Sequence, residues 1–144
     1  MIAEVTTTIA LMLLLITTPD RVLLARAIGH EAPRYLATEV DAEAVASVIM
    51  FRAICHGQLI REVLFAPGQF STATLLDTDP VDVDFYLALA DRAKQWESIE
   101  DLPVVASHFH APMDSPPFWA KQEYQVEVPG TVQLYYLLPE EKCK

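Results

Sequence analysis
The sequence predicts an α+β domain, helices first and a small antiparallel sheet last. Three observations carry this. Apolar residues recur at helical spacing through the first two thirds of the chain. Alternating segments appear only after residue 104. The two patterns are segregated along the chain rather than interleaved, which is the α+β order and not the βαβ one. With 144 residues and 52% apolar content, the chain is long enough and apolar enough for one real core. Charged residues make up only 21%, so global disorder is excluded.

The first element is an apolar N-terminus. Ile9 to Ile16 is an unbroken apolar run, too short for the ~20 residues that a bilayer span needs. The preceding residues carry Glu4 and no positive charge, so the run lacks the n-region of a secretory signal. Residues 1–17 are therefore read as a packing or docking segment, and 18–144 as the main domain.

The next stretch, Thr18 to Glu31, reads as a capped helix. Thr18 suits the N-cap, Pro19 the first helical position, and Asp20 the positive end of the helix dipole. Leu24, Ile28 and Glu31 fall on one face, and the apolar residues mark that face as buried. Pro33 stops the helix. Glu31 has two open readings: a solvated residue at a fraying helix end, or a carboxyl pressed onto apolar surface. In the second, burial and the negative end of the dipole raise its pKa, as a general acid requires.

A second helix is expected over about Asp41 to Ile54, slim on its alanine side and ended by Gly57. Leu59 to Phe65 reads as a short helix or turn, and Ala66-Pro67-Gly68 as a turn before the polar-aromatic Gln69-Phe70-Ser71. Asp79 and Pro80 open a third helix as N-cap and first residue, with Phe85, Tyr86, Leu89, Ala93 and Trp96 as its core stripe. Val104 to His110 is strand-like. Ala111 to Pro117 is a proline-bound loop. Tyr124 to Val128 and Thr131 to Leu138 form a hairpin about Pro129-Gly130, with Val132, Leu134, Tyr136 and Leu138 on one face and Tyr135 on the other.

Charge and chemistry narrow the functions. A net charge of −10 argues against a nucleic-acid partner and against attraction to anionic polymers. Cys55 and Cys143 make no metal-spaced pair; they are two free thiols or one terminal tether. His108 and His110 alternate in a strand and point one way. With His30, Glu31 or Asp114 as a third ligand they could hold zinc, although H-x-H alone is weak and hydrogen-bonded structural histidines are commoner. Cys55 and His56 are sequence neighbours whose side chains diverge on a helix, which disfavours a nucleophile pair. Phe109, Phe118 and Trp119 form either a sugar-stacking wall or a core plug.

Four segments, in order, resemble the SleB/CwlJ-type cell-wall hydrolases. L-L-A-R-A-I-G-H-E-A is similar to the family's opening helix ending in E-A-R-G-E, with Glu31 at its first Glu. Asp41 to Arg52, D-A-E-A-V-A-S-V-I-M-F-R, resembles G-Q-x-A-V-A-x-V-x-L-N-R. Val63 to Ser71 is similar to V-x-x-P-x-Q-F-S-W. Ser107 to Ala120, S-H-F-H-A-P-M-D-S-P-P-F-W-A, resembles T-H-F-H-A-P-x-x-x-P-x-W-A and is the most specific. Three departures lie near Glu31 and the loop. Pro33-Arg34-Tyr35 replaces R-G-E, two residues are inserted before the second helix, and Thr72 replaces the Trp after Q-F-S. Glu39 is the nearest substitute for the missing second Glu.

The resemblance implies a lysozyme-like, mainly helical fold with a minor β lobe. It implies cleavage of the β-1,4 bond between N-acetylmuramic acid and N-acetylglucosamine by lytic transglycosylation. Glu31 is then the general acid. Gln69, Ser71, His108 and His110 are the hydrogen-bonding cleft residues, and Phe70, Phe109 and Tyr135 the stacking surface. No cofactor and no metal is implied. The partners are peptidoglycan glycan strands, and the N-terminal segment fits docking to a phage tail or another virion protein. The protein would act at the bacterial cell wall, carried on a virion. Two alternatives stand beside this: an inactive wall-binding or virion component of the same fold, and a zinc peptidase or amidase.

Overall fold
The computed structural model describes residues 9, 13, 17–66, 70, 75, 79–141 and 143. The expected docking segment therefore falls almost wholly outside the described residues, as do Gln69 and Ser71. Among the described residues the chain folds as α1 (Asp20–Glu31), α2 (Glu39–His56), α3 (Ile60–Leu64), α4 (Val83–Ala93), β1 (His108–His110), β2 (Gln125–Val126) and β3 (Leu134–Tyr136). The strands pair antiparallel in the order β1-β3-β2. This is an α+β arrangement, helices before sheet.

The core forms around α2, because its sequence leaves almost no polar face. Ala42, Ala44, Val45, Ala46, Val48, Ile49, Met50 and Phe51 are all buried. Its ends are strongly marked. Thr38 is the N-cap: Thr38 Oγ1 accepts from the Asp41 amide at 3.1 Å, and the Asp41 carboxylate accepts from the Thr38 amide at 2.9 Å. This reciprocal pair starts the helix two residues before the expected Asp41. At the other end Gly57 caps the helix in the left-handed region at φ +62°, which a side chain would disfavour.

Helix α1 packs against α2, α3 and α4. It starts at Asp20 rather than Pro19, with Pro19 extended as the N-cap residue and no side-chain cap. Its position is fixed by polar links instead. Arg21 holds Asp91 of α4 bidentately at 2.8 Å, and Arg61 of α3 donates to Asp20 at 2.8 Å. Gly29 lets the chain cross closely: a Cβ there would lie 2.6 Å from Pro80. That contact explains why α4 starts at Val83 and not near Pro80. Asp79 and Pro80 are spent on α1, Pro80 against Gly29 and Asp79 bound to Arg26 at 3.3 Å, and the chain turns into α4 at Asp82 in the left-handed region. In α4, Tyr86, Leu89, Ala90 and Ala93 are buried. Phe85 and Trp96 are only partly so, and Trp96 lies beyond the helix end.

The strands are shorter than the alternating sequence suggests, and the reason is a competitor for their amides. The main-chain N–H groups of Val132 and Gln133 donate to the Asp41 carboxylate at 2.9 and 3.1 Å, which leaves β3 to start at Leu134. β1 pairs only across that short span, with His108 opposite Tyr136 and His110 opposite Leu134. Both faces of β3 are covered. Tyr135 is 1% exposed among the helices, and Tyr136 is buried beside His110 and Trp119.

Cys55 and Cys143 form a disulfide across 88 residues, with Cα atoms 4.2 Å apart. The adjacent His56 meets Glu141 at 2.7 Å. The C-terminal tail is thus tied to the end of α2. No helix among the described residues is long and apolar enough to cross a membrane.

Candidate active site
Glu31 lines a cavity of about 440 Å3 between the helices and the sheet. Helix α1 delivers it there because Leu24 and Ile28, two turns and one turn earlier, are fully buried. The end of α1 is held from two directions. The Tyr86 hydroxyl donates to the Ala32 carbonyl at 2.6 Å, and the Gln133 side-chain amide donates to the Glu31 carbonyl. Helix-terminal carbonyls have no partner within the helix, so these side chains do the capping. Burial pushes the Glu31 carboxyl above its ordinary value, against a smaller pull downward from His30.

Opposite Glu31 stand the strand residues. His108, Phe109 and His110 line the cavity, together with Ala111 and Trp119, and Phe70 lies on its wall. Burial and the Arg52 charge hold the His108 imidazole below its usual value, against the weaker upward pull of Glu141 and Glu140. His108 Nδ1 meets Ser107 Oγ at 2.9 Å. His110 is engaged on both ring nitrogens, Nδ1 with the Ala111 carbonyl at 2.7 Å and Nε2 with the Tyr136 hydroxyl at 3.1 Å. The carbonyl can only accept, so Nδ1 carries a proton. Trp119 packs across this group, its ring centroid 4.8 Å from His108 and 5.5 Å from Tyr136. The floor is apolar, with Val48, Ile49 and Val63, except for Arg52, whose Nε donates to the Ser107 carbonyl at 3.0 Å.

The structure thus brings Glu31, Phe70, His108, Phe109 and His110 to one cavity. Tyr135 is not in its wall. Its ring lies in the core, 6.2 Å from Phe109, and its hydroxyl is spent on Asp41, so it offers no stacking surface. Glu39 is exposed, bound to Arg34 at 3.0 Å, and does not line the cavity. Phe118 is 93% exposed, so the aromatic wall is Trp119 and Phe109 without it. Sequence reasoning assigned no role in the site to Gln133. Its residue type carries no chemical signature, and its partner is 102 residues away. Trp119, which the sequence offers as part of a sugar-stacking wall or a core plug, lines the cavity, and so does Arg52, which lies within a matched segment but has no site role in the sequence reading.

Among the described residues no three His, Cys, Asp or Glu side chains gather as a metal site. His30 lines a different cavity, and Asp114 is exposed. That other cavity is slightly larger, about 500 Å3, but its charged side chains are already paired: Arg26 with Asp79, and Arg34 with Glu39 and Asp82. Its carboxylates, Asp79 and Asp82, are held in those ion pairs, so the chemistry is assigned to the cavity at Glu31. The chain matches no family model, no curated protein and no solved structure.

Proposed function
We propose that the protein is a peptidoglycan lytic transglycosylase of lysozyme-like fold, with Glu31 as its one general acid. The observation that carries this reading is a half-buried glutamate of raised pKa in a cavity whose described lining holds no second carboxylate. A hydrolytic glycosidase needs a partner carboxylate at a defined separation, and Glu39 is turned away on Arg34. Transglycosylation needs none. Protonated Glu31 gives its proton to the glycosidic oxygen as the bond from that oxygen to C1 of N-acetylmuramic acid breaks. The C6 hydroxyl oxygen of the same sugar closes on C1, and its proton returns to the Glu31 carboxylate. The products are a 1,6-anhydro end and a free 4-hydroxyl on N-acetylglucosamine, with no water consumed. His108 supplies a polar group for acetamido and hydroxyl contacts, and Trp119 and Phe109 supply apolar faces for the pyranose rings. The acidic chain requires that the glycan be held by such contacts and not by long-range charge.

A second reading, an inactive wall-binding or virion component, is favoured by one feature. Pro33-Arg34-Tyr35 stands where the resembled family has R-G-E, and Arg34 is tied to Glu39, Asp82 and the Phe85 ring. Digestion of purified peptidoglycan with mass analysis of the fragments separates the readings. Anhydro-ended fragments support the proposal, water-adduct ends indicate hydrolysis, and intact glycan with retained wall binding indicates the inactive component.

A further inference from the structure
The end of α1 would have little to hold it if only helix contacts were counted. The Glu31 carbonyl is one of the last carbonyls of the helix and has no partner within it. Gln133 fills that role from the far end of the chain. Its side-chain amide donates to the Glu31 carbonyl, and its main-chain amide donates to Asp41 Oδ1 at 3.1 Å. Asp41 is fully buried, and its carboxylate is itself fixed by the Thr38 and Val132 amides and by the Tyr135 hydroxyl at 2.8 Å. A single residue therefore connects the backbone at the candidate acid to an anchored carboxylate at the start of α2.

We propose that Gln133 is a positioning residue for Glu31, clamping the last turn of α1 to the Asp41 carboxylate so that the Glu31 side chain stays turned into the cavity. The role rests on the reading of Glu31 as the general acid. Gln133 touches the main chain of Glu31, not its carboxyl, so it acts through placement. A general acid must meet the leaving oxygen within hydrogen-bond reach, and a loose helix end would not hold it there. The titratable groups around Glu31 are His30 on its own helix and, across the cavity, Arg52, His108 and His110. None of these is altered by changing Gln133, so a change in Glu31 titration reports its placement.

The test is Gln133→Met in the full chain, which keeps length and removes the amide donor. Two quantities are read: the Glu31 carboxyl titration by carbon NMR of the protein alone, and the kinetics on peptidoglycan. The variant should stay folded, and its Glu31 should titrate lower than in the parent, toward a solvated glutamate. The rate constant kcat should fall by about 10²-fold, the scale of a misplaced catalytic group, with KM little changed. A folded variant with the parent's Glu31 titration overturns the proposal. Should the variant not fold, the parent's own Gln133 side-chain amide decides: one slowly exchanging proton supports the clamp, and two freely exchanging protons overturn it. Intact peptidoglycan with the parent protein defeats the functional reading, while the titration and exchange still decide the clamp.

Discussion

The Tyr135 hydroxyl donates to Asp41 Oδ1 over 2.8 Å, joining residues 94 apart in the chain. This bond ties the sheet to the start of the central helix. Around it, one carboxylate serves as helix cap, strand terminator and buried anion at once. Burial alone would raise the Asp41 pKa. The amides of Thr38, Val132 and Gln133 and the Tyr135 hydroxyl outweigh that, and its carboxyl sits below the ordinary range. Burial, and after it the same carboxylate, pushes the Tyr135 phenol far up.

Asp41→Asn should therefore cost at least ~3 kcal/mol at neutral pH, because one amide cannot accept from all of those donors. The pH dependence has a definite sign. A depressed folded pKa gives stabilisation that is complete above the unfolded value of about 3.9 and is lost as pH falls through the folded value. Denaturant melts of parent and variant should differ by a constant amount from pH 8 to about 5, and converge below about 4. A gap that persists undiminished into strong acid would show that the carboxylate's charge is not what matters.

Glu31 has the opposite sign. Its folded pKa is raised, so its ionisation carries a folding penalty that is absent below the unfolded value and grows as pH rises through the folded one. Glu31→Gln removes that penalty. Its melting temperature should match the parent's near pH 4 and exceed it at pH 8. Equal melting temperatures across the range would mean that Glu31 is solvated.

Gly29 is a packing requirement. Gly29→Ala drives a Cβ to within 2.6 Å of the Pro80 ring, which lies on an adjacent chain segment and must move. Overpacking of this kind costs about 1–3 kcal/mol. Chemical denaturation measures it, and an unchanged midpoint would show that Pro80 does not sit on α1.

The Cys55–Cys143 disulfide closes a loop of 88 residues. In the chain-entropy model such a loop is worth roughly 4.6 kcal/mol. Thiol titration of the denatured, unreduced protein should find no free thiol, and reduction should lower the melting temperature. Two reactive thiols would show that this tether of the tail is absent.

The helices were legible because their signals are local. Pro33 and Gly57 mark helix ends within a residue or two, and the alanine and valine spacing of α2 needs no partner to be recognised. The failures are equally specific. Asp79 and Pro80 carry a sound helix-start pattern, yet the close approach to Gly29 claims them, and the helix begins after Asp82. The hairpin is shorter than its alternation suggests because nothing in Val132-Gln133 announces that Asp41 takes their amides. At the site, Glu31 and the H-F-H strand are recognisable from helix face and motif. The resemblance implies Tyr135 as stacking surface, but it takes no account of this chain's packing, which buries Tyr135 in the core. Gln133 was missed because its role exists only in three dimensions.

The most direct test of the account is the rate of glycan cleavage by Glu31→Gln beside the parent and Glu39→Gln. The amide keeps the shape of the protonated acid and removes the transferable proton. The account predicts that the parent cleaves peptidoglycan to anhydro ends, that Glu39→Gln matches it, and that Glu31→Gln is slower by about 10²-fold or more, the scale of a lost general acid. Full activity in Glu31→Gln, or its loss in Glu39→Gln alone, would contradict the assignment.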